Sequence, residues 1–211
     1  MNKVTGGNHK NGLFLVVSAP SGTGKTSICR ALMKRQPDLR FSISHTTRPP
    51  RPGEVDGRDY RFIAGEAFRK GIDAGDYIEW AENYGYLYGT PVETMTTFLE
   101  QGFDLLLDVE PKGAKALKDR FSNGIYIFIL PPSIEELRRR ISRRGAESGD
   151  VLEKRIVTAV SEISEALWYN YVIFNDRLDD AIERLQAIYL AEKSKTERVS
   201  SMIHQLFPKD I

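Results

Sequence analysis

A chain of 211 residues can bury one substantial core and carry small insertions on it, but it is short for two independent domains. Its 30 lysines and arginines nearly balance 29 aspartates and glutamates, for a net charge of +1. That balance excludes a global basic field for nucleic acid or an acidic membrane, so any anion site must be local. The longest apolar runs, residues 13–17 and 125–130, are far too short to cross a bilayer as helices.

In chain order, residues 1–12 (MNKVTGGNHKNG) lack the apolar stretch of a secretory signal and read as a disordered lead-in, with the cytoplasm as default location. LFLVVS, residues 13–18, is a continuous apolar run that stops at APSGTGK, as a buried parallel strand ends in a turn. A helix should follow over residues 25–36, ended by Pro37; within it the single cysteine, Cys29, reads as a buried structural thiol. Between residues 41 and 90, prolines and glycines crowd TTRPPRPGEVDGRDY and aromatics crowd WAENYGYLYG, which predicts a small, largely β insertion forming a mobile substrate-side lobe. The runs 105–109, 125–130 and 171–174 are short, apolar and separated by helix-like stretches, so the fold class is α/β with a parallel sheet and covering helices. Ser133 and Glu136 form an S-x-x-E capping box before LRRRISRR, placing those arginines on a helix that leads into Gly145. A last helix over about residues 179–207 carries Val199, Met202, Ile203, Leu206 and Phe207 at helical spacing. That stripe packs back on the core, the plainer reading, or joins a second subunit. His9, His45 and His204 are scattered, with no acid or cysteine at ligand spacing, so a transition-metal site is not indicated.

Ala19-Pro20-Ser21-Gly22-Thr23-Gly24-Lys25-Thr26 fits the phosphate-binding pattern G-x-x-x-x-G-K-[ST] at every fixed position except the first, where alanine replaces glycine. Strand, loop and helix arrive in the order that aims backbone N–H groups and a helix N-terminus at a polyphosphate. Lys25 would reach the β and γ phosphates of ATP, and Thr26 would offer its hydroxyl to Mg2+. The insertion supplies a second anion site: Arg48, Arg51, Tyr60 and Tyr88 combine two guanidinium forks with two phenols, suited to a dianionic monophosphate. Two carboxylates suggest the base. Glu79 sits among apolar neighbours in YIEW and Asp108 ends LLLD; a carboxylate matches the paired N1–H and 2-amino donors of guanine, whereas adenine presents a lone pair at N1.

With these segments, SHTTRPPRPGEVDGRDY, IEWAENYGYLYGT, LLLDVEPKGA, IFILPPS, LRRRISRRG and VIFND, the chain resembles guanylate kinase over residues 13–207. The resemblance implies a P-loop NTPase with a parallel β-sheet core flanked by helices (residues 13–41, 91–136 and 161–211), a mostly β GMP-binding lobe (42–90) and a helical lid (137–160). It implies transfer of the γ-phosphoryl group of ATP to GMP, with dGMP a second acceptor, in purine nucleotide metabolism. Arg48, Arg51, Tyr60 and Tyr88 match the family's phosphate ligands, Ser44, Glu79, Thr90 and Asp108 its base-side positions, and Glu54 a residue that orients the arginines. Arg140, Arg144 and Arg155 match lid residues that close on the phosphates and, with Lys25 and Arg48, make up the expected catalytic set; Asn175 matches a residue near adenine. Asp108 either reads the base or holds Mg2+ through water. Glu110-Pro111-Lys112-Gly113 departs from the family pattern, which has Asp first and Gln before the glycine. The expected partners are ATP and GMP, with no nucleic acid and no membrane, and a homo-oligomer through the C-terminal helix. A ribose-phosphate kinase would lack the guanine-facing acids, a peptide-binding relative would lose the loop lysine or lid arginines, and a simple NTPase would have no use for the Arg and Tyr cluster.

Overall fold

The computed structural model describes residues 12–83, 85–144 and 149–207. The lead-in expected over residues 1–12 therefore lies, apart from Gly12, outside the described residues, as does Gly145 itself. β1 (Phe14–Ser18), fully buried, feeds the phosphate loop, and α1 (Lys25–Arg35) leaves it, one residue shorter than expected. β2 (Leu39–Ser42) follows. Then come β3 (His45–Thr46), β4 (Arg61–Phe62), α2 (Gly65–Ala74), β5 (Tyr77–Asn83) and β6 (Tyr86–Pro91). α3 (Val92–Glu100), β7 (Asp104–Asp108), α4 (Pro111–Arg120) and β8 (Ile125–Leu130) return to a strand and helix alternation. α5 (Ile134–Arg144), α6 (Gly149–Ile163), a 3-10 turn (Ser164–Trp168), β9 (Tyr171–Phe174), α7 (Leu178–Lys193) and α8 (Thr196–Leu206) complete the chain.

The five-stranded sheet has order β2-β7-β1-β8-β9 and every pairing in it is parallel. Helices cover both faces: Ile28, Leu32, Ile182 and Leu185 of α1 and α7 pack on one, and Ala114 and Leu117 of α4 with Met95 of α3 on the other. Because β7 pairs with β1 in the register Val17↔Asp108, the end of β7 emerges beside the mouth of the phosphate loop. Parallel α/β sheets bind ligands at this carboxyl edge. Asp104 anchors the opposite end, accepting hydrogen bonds from Leu13 N (2.8 Å) and the Tyr189 hydroxyl (2.6 Å) while pairing with Lys193 (2.8 Å).

A second sheet, order β4-β3-β6-β5, is built wholly from the insertion. The insertion is less purely β than expected, since α2 lies within it and buries Phe68 face to face with Tyr77, ring centroids 4.4 Å apart. β2 was not foreseen either: LRFS holds only two apolar residues and occupies the sheet edge, where burial does not demand a continuous apolar run.

The expected final helix is two helices. The Ser194 hydroxyl bonds the Leu190 carbonyl (2.9 Å), competing with the backbone ladder, and Lys195 is extended at ψ 134° before α8 restarts. The apolar stripe does not fold back as the plainer reading had it: Met202, Ile203, Leu206 and Phe207 are all exposed, Phe207 at 69%. At the start of α5 half the capping box forms, with Glu136 N–H donating to Ser133 Oγ at 3.1 Å. The Glu136 carboxylate turns instead to Arg139 and Arg140, whose charged forks outcompete a single neutral N–H; their hydrogen bonds, Arg139 first, hold its pKa down at about 2.

Candidate active site

Gly22 and Gly24 adopt φ of 91° and 92°, left-handed angles that cost glycine nothing and let the loop curl before α1. A Cβ on Gly24 would also press on the Asn175 amide at 2.8 Å. Inside the curl, Thr23 N and Oγ1 both donate to the Pro20 carbonyl (3.3 and 2.9 Å). Ala19, where the pattern has glycine, is buried and its methyl joins the core with Ile28.

Lys25 Nζ lies 2.6 Å from Asp108 Oδ1 and donates to the Val109 carbonyl at 3.1 Å. Burial disfavours the ammonium, but Asp108 and then Glu110 outweigh it and hold the lysine pKa above its ordinary value. The cation is therefore kept charged beside the loop. Three further groups converge there. Arg140 donates to the Thr23 carbonyl (3.4 Å) and the Asn175 carbonyl (3.1 Å), the Asn175 amide donates to Thr23 O (2.6 Å), and Arg155 Nη2 donates to Ser21 Oγ (3.1 Å). Arg144 closes α5, with its side chain outside the described residues. Arg143, not singled out in the sequence, joins Gly22, Gly24, Arg140 and Asn175 around a cavity of about 370 Å³. Among five arginines in the seven residues 138–144, only the helical phase distinguishes it.

On the other side, Arg48 is only 7% exposed and is gripped by Glu54 through two parallel bonds (2.9 and 3.0 Å), while a Glu54 oxygen also accepts from Arg51 N (2.7 Å). Glu54 thus sets the fork, the orienting role its position suggested. The Tyr60 ring lies under Arg48 (5.5 Å) and edge-on to Tyr88 (6.0 Å). The described residues bring Arg51, Tyr60 and Ser44 to the same cavity of about 550 Å³ as Thr26 and Asp108 of the phosphate-loop side.

Glu79 is 7% exposed, and its Oε1 accepts from the Thr90 hydroxyl at 2.6 Å. Burial pushes its pKa up against that bond, and Glu110 pushes it further. It reaches so close to α4 that any Cβ on Gly113 would collide with its carboxylate. Glu79, Glu110, Asp108, Ser44 and Tyr88 border one pocket. Glu110 is thus a second acid beside Glu79, while Asp108 sits at the junction with Lys25. Read in sequence, Glu110 is a departure from the family pattern that still offers a carboxylate. Glu162, seven residues beyond Arg155 on α6 and so on the same face, is pushed up to about 7 by burial first and Glu110 next. An acid at the end of a helix gave no sign of this.

The guanylate kinase family model matches residues 12–192, spanning both sheets and the helices between. The chain belongs to the guanylate kinase family. It is 54% identical over 203 residues to a guanylate kinase of Syntrophus aciditrophicus, covering 96% of this chain and 97% of that one. A guanylate kinase of Geobacter sulfurreducens is 45% identical over 95% of this chain and 99% of its own length. The crystal structure of guanylate kinase from Anaplasma phagocytophilum matches the fold with a TM-score of 0.78 at 32% identity, covering 95% of this chain and 98% of that one. The α/β architecture expected of a guanylate kinase is therefore the one observed. Among the described residues no helix is long and apolar enough to cross a membrane.

Proposed function

We propose that the protein transfers the γ-phosphoryl group of MgATP to GMP, giving ADP and GDP. The observation that carries this is the shared cavity: Thr26 at the end of the phosphate loop faces Arg51 and Tyr60 across a single space. Residues 42–90 form the acceptor lobe and residues 137–160 the lid. A phosphate oxygen of GMP attacks the γ-phosphorus in line, its O–P bond forming as the bond to the β-phosphate oxygen breaks and ADP departs. The attacking dianion carries no proton, so no side chain need serve as base. Lys25, Arg140, Arg144 and Arg155 stabilise charge on the transferring group, and Arg48, Arg51, Tyr60 and Tyr88 hold the acceptor dianion against its repulsion by ATP.

Glu79 and Glu110 accept from N1–H and the 2-amino group of guanine, with Ser44 and Thr90 beside them and Asp108 between base and phosphate loop. Every group so assigned touches base or phosphate, so dGMP is also an acceptor. The residues fit Mg2+ arriving with the nucleotide. The Thr26 hydroxyl is exposed on the cavity wall near Asp108, and no cluster of three acids, histidines or cysteines among the described residues would hold a metal alone. Bound there, the ion neutralises charge on the β and γ phosphates. The test is ADP release from MgATP with and without GMP, with GDP separated by chromatography. GDP equal to ADP is expected, and equal ADP release without acceptor would make the protein a simple hydrolase.

We also propose a homo-oligomer built on α8, whose exposed Met202, Ile203 and Leu206, with Phe207 just beyond its end, offer a second copy an apolar face. Replacing Leu206 and Phe207 by Ser should lower the mass measured by light scattering to that of the monomer. An unchanged mass would remove α8 from the interface.

A further inference from the structure

We propose that Arg30 is a positioning residue for phosphoryl transfer, holding the acceptor loop at a fixed distance from the phosphate loop through Asp59. This rests on the acceptor-site reading above. Arg30 lies on α1, the helix that begins at Lys25, so its backbone is rigidly tied to the donor side. Its guanidinium bonds Asp59 Oδ1. Asp59 immediately precedes Tyr60 and is 9% exposed. Its other oxygen accepts from Val55 N (2.9 Å) and from Arg58 Nε and Nη2 (3.0 and 2.8 Å). The carboxylate is thus built into the turn that presents Tyr60, and one oxygen is left to face α1.

Among the ion pairs of the described residues, this one alone joins α1 to that loop. It stands at the wall of the cavity that both substrates share: Arg30 and Asp59 border the space together with Thr26, Arg51 and Tyr60. In-line transfer needs the reacting atoms within a fraction of an ångström of contact, and a displacement of about 1 Å can cost on the order of 100-fold in rate. A contact between the two supports sets that distance. The Arg30 side chain is 60% exposed, so as a surface pair its weight in stability is small. Its value lies in geometry.

Arg30→Ala tests this, because Asp59 keeps its bonds from Val55 and Arg58 and the loop retains its local fold. The expected enzyme has kcat lowered about 10-fold and KM for GMP raised about 5-fold, with KM for ATP within about twofold of the parent. Its thermal midpoint stays within about 3 °C, and Arg30→Lys, which keeps the charge, recovers most of the loss. Both kcat and KM for GMP within about twofold of the parent would overturn the proposal, as would an equal rise in KM for ATP. Arg51→Gln, assayed alongside, separates the two readings. If it loses GMP affinity while Arg30→Ala behaves as the parent, the bridge is wrong and the acceptor site stands; if it binds GMP normally, the acceptor site is wrong and the bridge falls with it.

Discussion

Lys25→Ala turns over saturating ATP and GMP about 10³-fold more slowly than the parent, a loss of about 4 kcal/mol in transition-state stabilisation. The lysine sits at the end of the glycine-rich curl and is held charged by Asp108 at 2.6 Å. On the mechanism proposed above, the ammonium exchanges that carboxylate for phosphate oxygens when nucleotide binds, so it would meet the charge that develops during transfer with little reorganisation. The deletion should not unfold the chain. Asp108 stands on the rim of the cavity and can be rehydrated there, while the sheet beneath is held by β1 and its neighbours. Steady-state ADP formation with circular dichroism on the same sample checks both halves. Near-parental turnover in a folded Lys25→Ala protein would remove the lysine from the chemistry.

Glu79→Gln is the second large effect, expected to lower kcat/KM for GMP about 100-fold while leaving the far slower reaction with AMP unchanged. The carboxamide keeps an oxygen for the Thr90 hydroxyl, so the packing of β5 on β6 survives. Its amino group, however, faces the donors of guanine and turns an attraction into a clash of hydrogens. Because burial and Glu110 already penalise the ionised Glu79, removing the charge should leave stability equal or slightly improved. A GMP-selective loss in a protein no less stable than the parent separates recognition from folding. Equal losses for GMP and AMP would mean that Glu79 supports the pocket without reading the base.

The donor half was legible because strand, glycine-rich curl, lysine and helix are contiguous, and each obeys a local rule. The cluster proposed as the acceptor side was legible as a composition, two arginines and two tyrosines near prolines and glycines, but its geometry was not. That Glu54 clamps Arg48 through two parallel bonds depends on a loop whose shape no periodicity encodes. Longer-range relations were hidden altogether: Arg30 and Asp59 are 29 residues apart, and each alone reads as a solvated charge. Glu110 looked like an exception until packing set it beside Glu79. The break at Ser194 was missed because one serine scarcely perturbs a helical pattern, whereas its hydroxyl bond to Leu190 and the extended Lys195 decide where the helix ends. β2 and α2 escaped for the same reason, short elements whose burial is settled by neighbours distant in sequence.

Recognition of guanine by two carboxylates is tested by kcat/KM for GMP, IMP and AMP as acceptors with MgATP. IMP keeps N1–H but lacks the 2-amino group, and AMP lacks both donors, so the three dissect the two-carboxylate reading one hydrogen bond at a time. IMP should be slower than GMP by about 10-fold to 100-fold, as one buried acceptor loses its partner, and AMP slower by about 10⁴-fold. AMP within about 10-fold of GMP would contradict it, because a pocket lined by these acids would then be indifferent to the base.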